Sequence, residues 1–227
     1  MIDKEIIAIS DREIIVIIDD DESIRRALVR MLGTAGLEVF AFSSAQEFFA
    51  APEGKHVSCV VSDLRMPDID GLHLQNALAE RMPHVGVVFV TGHADITSSV
   101  RAMKSGAVDF LEKPVKRAEL LEAITRATRK TRSAEEGASE LKEVKERYAR
   151  LTPRERQVFA LVSAGLLNKQ IAAELGSAEK TVKQHRSVAM TKMKADSLAD
   201  LVMMAEHLGV RPSRADFSKA KGLLRAS

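Results

Sequence analysis

Five residues have the types and placement to handle a phosphoryl group: Asp19, Asp20, Asp63, Thr91 and Lys113. Asp19 and Asp20 directly follow an apolar, β-branched run, and Asp63 directly follows a second one. Carboxylates crowded at neighbouring strand ends repel one another, and a hard divalent cation relieves that repulsion. Mg²⁺ takes oxygen ligands in octahedral geometry and keeps several waters, so an Mg²⁺ site with one carboxylate left to react is expected. A carboxylate nucleophile forms an aspartyl-phosphate. Thr91 closes a third apolar run and Lys113 a fourth. A hydroxyl and an ammonium there can hold phosphoryl oxygens, because phosphoryl transfer needs positioning and charge neutralisation above all. Each residue alone is weak evidence. An Asp pair after a strand is often a solvated turn, a strand-end Thr is usually structural, and a lone Lys is usually a surface charge. Their joint presence at four of five strand ends is what points to a site.

The elements that must position these residues alternate five times over residues 13–130, within a first domain read as residues 10–130. Glu13–Ile18, Glu38–Phe42, Val57–Ser62, Gly86–Thr91 and Asp109–Glu112 read as strands, rich in β-branched residues and short. Helices are expected over Glu22–Ala35, Ala45–Ala50, Gly71–Glu80, Ile96–Lys104 and Arg117–Lys130. Repeated βα units predict an α/β fold, a flavodoxin-like doubly wound, five-stranded parallel sheet in the order 2-1-3-4-5. In that order the strands before Asp19 and Asp63 are neighbours, and their carboxyl ends flank the point where ligands bind. Asp21-Glu22-Ser23 resembles a helix start, so Asp19 and Asp20 are preferred over Asp21 as ligands.

Beyond residue 130 the character changes. Residues 131–148 read as a linker, with a small acidic stretch and then Leu141, Val144, Tyr148 and Leu151 at helical spacing; a helical connection and a mobile tether both remain open. Residues 149–210 read as a small all-α domain. Thr152-Pro153-Arg154-Glu155 has the form of a capping box with Pro at the first helical position, opening a helix to about Ser163. Asn168 is expected to cap Lys169–Leu175, Ser177 to cap Ala178–Met193, and Asp196 or Ser197 to precede a last helix to about Leu208. Two helices joined by a short turn containing Gly176 form a helix-turn-helix pattern. Along Ala178–Met193, Val182, His185, Ala189 and Met193 make an inward stripe. Lys180, Lys183, Gln184, Ser187 and Thr191 make a polar one. Residues 211–227 form a basic tail that takes no assignment.

Net charge is +2 overall, but residues 1–148 carry −5 and residues 149–227 carry +7. A basic C-terminal part suits a polyanionic partner. The single cysteine, Cys59, excludes an intrachain disulfide and reads as a buried small hydrophobe. No apolar run reaches the ~20 residues of a membrane span, and no secretion signal is visible, so a cytoplasmic setting is expected. The six histidines show no metal-ligand spacing, and His93 reads as a loop residue.

Two resemblances follow from these residues. Ile17-Ile18-Asp19-Asp20-Asp21, the run from Val61 to Gly71 around Asp63, Thr91-Gly92-His93 and Lys113-Pro114 resemble the receiver domain of response regulators, across about residues 13–130. The resemblance implies Asp63 as phospho-acceptor. It implies Mg²⁺ held by Asp20, Asp63 and the backbone carbonyl of Arg65, with Asp19 acting through water. Thr91 and Lys113 would bind phosphoryl oxygens, Phe110 would be a switch aromatic or else a buried strand residue, and the Lys113–Pro114 bond would be cis. Leu151–Val158, Asn168–Ala172 and Lys180–His185 resemble the LuxR-type output domain of FixJ/NarL-family regulators, across about residues 149–209. That implies Lys183, Gln184 and Ser187 as base readers. Lys169, Thr181, Arg186 and Lys192 would be phosphate contacts, Lys180 would stand on the same DNA-binding face, and a last helix carrying Leu198, Leu201, Val202 and Ala205 would form the dimer contact. The expected protein is a non-enzymatic, DNA-binding regulator. Its partners would be a histidine kinase, double-stranded DNA, RNA polymerase and a second copy of itself after phosphorylation. Two other readings compete: a small acidic-site phosphatase, and a DNA-binding protein with an inert acidic domain.

Overall fold

The computed structural model describes residues 13–52, 56–67, 71–92 and 96–211. His93, residues 10–12 and the tail from 212 lie outside them. The chain forms two compact units, residues 1–136 and 137–227.

The first unit runs β1 (Ile14–Ile18), α1 (Glu22–Gly33), β2 (Glu38–Phe42), α2 (Ala45–Ala50), β3 (Val57–Asp63), α3 (Gly71–Arg81), β4 (Gly86–Thr91), α4 (Ile96–Lys104), β5 (Asp109–Glu112) and the start of α5 (Arg117–Ala149). The five strands are parallel in the expected order, β2-β1-β3-β4-β5. β1, β3 and β4 are buried along their whole lengths because helices cover both faces, which is why their sequences are mainly apolar on both faces instead of alternating, with the polar Asp63 and Thr91 at their carboxyl ends. The pleat still sorts side chains. Val16, Ile18, Val60, Val87 and Phe89 meet Ala45, Phe48, Leu74, Leu78 and Ala102 of α2 to α4. Ile15, Ile17, Cys59, Val61, Val88 and Val90 meet Leu28, Leu32, Leu120, Ala123, Ile124 and Ala127 of α1 and α5. Burial pushes the Cys59 thiol far up, so it stays protonated and inert.

Helix α5 departs from the expected end near Lys130 and runs 33 residues. No proline interrupts it, and Gly137 costs only about 1 kcal/mol in a helix, too little to stop it. Its last turns are not free: Val144 and Tyr148, expected in the linker, are packed in the core of the second unit.

That unit holds α6 (Pro153–Ser163), α7 (Asn168–Glu174), α8 (Glu179–Met193) and α9 (Leu198–Leu208). The capping box at Thr152 forms as expected: Glu155 N–H donates to Thr152 Oγ1, and Thr152 N–H donates to Glu155 Oε2. Two other cap assignments shift by one residue. Leu167, not Asn168, stands at the α7 N-cap, and Gln170 Oε1 reaches back to accept from its N–H. Ala178, not Ser177, stands at the α8 N-cap. Ser197 caps α9 with Asp200 as its reciprocal partner. Val158, Phe159, Leu161, Val162, Ile171, Val182, Met193 and Leu201 make the core. Tyr148 stacks edge-on to Phe159 at 5.4 Å, and the Arg156 guanidinium lies over the Tyr148 ring, 5.3 Å from its centroid. Tyr148→Ala should therefore destabilise the helical unit by about 2–3 kcal/mol. The urea midpoint of its circular dichroism transition measures this, and an unchanged midpoint would place Tyr148 outside the core.

Candidate functional site

The acidic residues converge at the carboxyl end of the sheet. Asp19 follows β1 and Asp63 ends β3, and the two strands are hydrogen-bonded with Ile18 opposite Ser62. Oxygens from Asp19, Asp20 and Asp63 lie within 4.8 Å of one another. Asp19 and Asp63 are buried while Asp20 is exposed. Lys113, just past β5, reaches both buried carboxylates: Nζ is 2.6 Å from Asp19 Oδ2 and 2.7 Å from Asp63 Oδ2. Burial works against the Lys113 charge, but its hydrogen bonds to Asp19 and Asp63 outweigh this and raise its pKa. One ammonium against three carboxylates leaves net negative charge at the end of a buried strand, which favours a further cation.

The backbone aims the groups. Asp63 Oδ1 accepts from Arg65 N–H at 3.0 Å, which brings the Arg65 peptide beside the carboxylate. Asp19 Oδ1 accepts from Asp21 N–H at 2.9 Å, and the Asp19 carbonyl accepts from Arg25 at 2.6 Å. Asp21 itself is the α1 N-cap, accepting from Ser23 and Ile24 N–H, so its side chain serves the helix. Thr91 is buried at the end of β4, and its carbonyl accepts from Lys113 N–H at 2.9 Å. The Lys113–Pro114 bond is cis. Phe110 pairs across from Phe89 and lies partly buried against the α2–α4 face of the sheet.

The second unit presents a cationic face. On α7 and α8, Lys169, Lys180, Thr181, Lys183, Gln184 and Ser187 are exposed, and Arg186 is half-buried. Arg186 donates to Asn168 Oδ1 at 3.3 Å. A groove of about 580 Å³ runs beside α8, lined by Asn168, Lys183, Arg186, Ser187, Thr191 and Lys194 among others. The inward stripe forms as read, with Val182, Ala189 and Met193 buried and His185 half-buried.

Comparison with known proteins matches both units. Residues 15–125 match the response regulator receiver domain family, and residues 149–205 match the luxR family of bacterial regulatory proteins. The chain is 46% identical over 201 residues to Nodulation protein W of Bradyrhizobium diazoefficiens, covering 88% of each chain. It is 41% identical to the transcriptional regulatory protein FixJ of Rhizobium meliloti, covering 87% of this chain and 97% of that one. The chain belongs to the response regulators with a LuxR-type output domain. A solved structure of response regulator StyR superposes with a TM-score of 0.73 at 40% identity, covering 86% of this chain and 98% of that one. The family is one of DNA-binding transcriptional regulators. Its receiver domain implies a histidine kinase as partner, and its output domain implies DNA. Among the described residues, no helix of this response regulator is long and apolar enough to cross a membrane.

Two expected roles in the output domain meet geometry that works against them. Leu201 and Ala205, expected at a dimer contact, are 1% and 4% exposed because that stripe of α9 packs into the domain's own core. Leu198 and Met203 are exposed, and Val202 is intermediate, so an outward face of α9 remains. Lys192, expected on phosphate, instead sets its ammonium 2.7 Å from Glu155 Oε2. That hydrogen bond, followed by the one from Thr152 N–H, holds the Glu155 pKa below the usual carboxylate range. A carboxylate lowered in the folded state stabilises at neutral pH and loses that contribution as pH falls through its folded pKa. The output domain should therefore melt earlier below the usual Glu range, with Glu155→Gln flattening the acid limb. An acid limb unchanged in that variant would remove Glu155 as its source. The sequence showed Glu155 only as a cap residue, because its partner lies 37 positions away.

Proposed function

We propose that Asp63 of this regulator accepts a phosphoryl group from a partner kinase and that the output domain then binds DNA. The observation that carries this reading is the single ammonium of Lys113 shared between Asp63 and the neighbouring Asp19. An Asp63 carboxylate oxygen attacks the phosphorus of a phosphohistidine, the P–N bond breaks, the histidine ring leaves and takes up a proton, and an acyl phosphate forms on Asp63. Lys113 stands beside Asp63 Oδ2 to take the ionic contact of the incoming phosphoryl oxygens. The Thr91 hydroxyl takes a second phosphoryl oxygen, and Phe110 responds as the switch aromatic.

The donor set fits Mg²⁺, which Asp20, Asp63 and the Arg65 carbonyl would hold, with Asp19 behind them. When bound it would supply charge neutralisation at the phosphoryl oxygens. Lys183, Gln184 and Ser187 would read base edges, while Lys169, Lys180, Thr181 and Arg186 would grip phosphates. The protein would act in the cytoplasm, dimerise on phosphorylation, use Leu198, Val202 and Met203 as its α9 contact, and activate transcription through RNA polymerase. The α5 turns from Leu141 onward belong with the output domain in this reading.

Fluorescence anisotropy of the full chain on duplexes selected from a randomised library tests it. Acetyl phosphate with Mg²⁺ should tighten specific binding, and affinity should fall steeply with salt. Binding indifferent to the phosphodonor would favour a regulator with an inert receiver.

A further inference from the structure

Helix α8 packs on the core of its domain through Val182, Ala189 and Met193. Those apolar contacts seat α8 on the core and carry no directional bond to its ends. Directional contacts fix both ends, and they come from two consecutive residues in the first turn of α6. Arg154 Nη2 donates to the Leu175 carbonyl at 2.8 Å, while Nη1 donates to Gln157 Oε1 at 3.1 Å and orients the guanidinium. Leu175 is the C-cap of α7, followed by Gly176 at φ +59° and the short turn into α8. At the far end, Lys192, the penultimate residue of α8, is held 2.7 Å from Glu155 Oε2, which also accepts from Thr152 N–H at 2.8 Å. Glu155 is buried and Lys192 half-buried, and the carboxylate is held by two hydrogen bonds at once, which fixes the geometry of the pair.

We propose that Arg154 and the Glu155–Lys192 pair are positioning residues for DNA recognition, setting the pose of α8 from its two ends. This rests on the reading that α8 enters the major groove. A helix of 15 residues is about 22 Å long. A small tilt about its middle therefore moves side chains near either end by a large fraction of a hydrogen-bond length. Base contacts tolerate little misplacement, whereas the attraction between lysines and phosphates tolerates much more. Losing an anchor should cost sequence specificity and leave sequence-independent binding intact. A direct phosphate contact from Arg154 or Lys192 would do the reverse, weakening all duplexes alike and reducing the salt slope by about one.

The experiment uses the full chain treated with acetyl phosphate and Mg²⁺. Its probes are a duplex selected by the wild type from a randomised library and a scrambled duplex of equal composition. Affinity is measured across a salt series for wild type, Arg154→Met and the double variant Glu155→Gln/Lys192→Met, with thermal melts alongside. The double variant avoids leaving Glu155 buried and unpaired. If Arg154→Met does not fold, Gln157→Met, which removes only the partner that orients the guanidinium, takes its place. The expected result is a loss of about tenfold or more on the selected duplex, comparable to one mismatched base pair, with the scrambled duplex and the salt slope unchanged. A uniform loss with a shallower slope, or no loss at all, overturns the proposal. A wild type that does not distinguish the two duplexes overturns the reading beneath it, which separates the two failures.

Discussion

Asp63→Asn is expected to abolish phosphoryl incorporation from acetyl phosphate, read as the loss of the single mass increment that the wild type gains with Mg²⁺. Asn keeps the shape and the Arg65 N–H contact but has no anionic oxygen to attack phosphorus. The variant should stay folded. Asp63 sits with Asp19 and Asp20 in a cluster whose oxygens lie within 4.8 Å, so removing one negative charge relieves repulsion. Lys113 retains Asp19 as its partner. Loss of labelling without loss of the circular dichroism melt thus separates chemistry from folding. Asp20→Asn supplies the contrast: it keeps the nucleophile and should label more slowly, with a higher Mg²⁺ requirement. Undiminished labelling of Asp63→Asn would assign the nucleophile to another residue and sink the proposed role.

The second large effect concerns α5, which must lie close enough to the sheet to place β4 and Thr91. A Cβ at Gly86 would stand 2.7 Å from the Ala127 carbonyl oxygen and 2.9 Å from Ala127 Cα. Those are backbone atoms of a helix that cannot retreat, because Thr131 is bonded to the sheet. Its hydroxyl lies 2.7 Å from the Ser58 carbonyl and accepts from Gly86 N–H at 2.9 Å. Gly86→Ala should therefore cost about 3 kcal/mol or more, at the upper end of overpacking substitutions. Thr131→Val leaves the Ser58 carbonyl and Gly86 N–H without that partner, at about 1–3 kcal/mol for each buried group stranded. Urea midpoints of the α/β unit measure both. If Gly86→Ala melts with the wild type, α5 has room to move and the close packing is not structural.

Much of the α/β unit was legible because its signals are local. Parallel strands buried on both faces read as mainly apolar runs, and β1, β3 and β4 do up to their polar carboxyl ends. Residues at strand ends are ordered by the sheet, so once 2-1-3-4-5 is assumed, Asp19, Asp63, Thr91 and Lys113 must share one end. The capping box at Thr152 is equally plain, while the sequence lets the last helix start after Asp196 or Ser197, and the structure puts the cap on Ser197.

The tertiary structure decided what depends on partners distant in sequence. The stripe Leu198, Leu201, Val202, Ala205 shows that α9 is amphipathic, but not which apolar residues belong to the domain's own core and which face outward. Packing against α6 claims Leu201 and Ala205. Lys192 reads as a phosphate contact on a basic helix, but in the fold Glu155 lies beside it. Val144 and Tyr148 read as linker because a short helical stripe does not name its partner, and Phe159 supplies one. Sequence alone determined the two domain types and the acidic chemistry, since both rest on short-range pattern and strand order. Which lysine grips a partner and which holds the fold was set only when the chain closed on itself, because a charge is spent on whichever opposite group lies nearest in space.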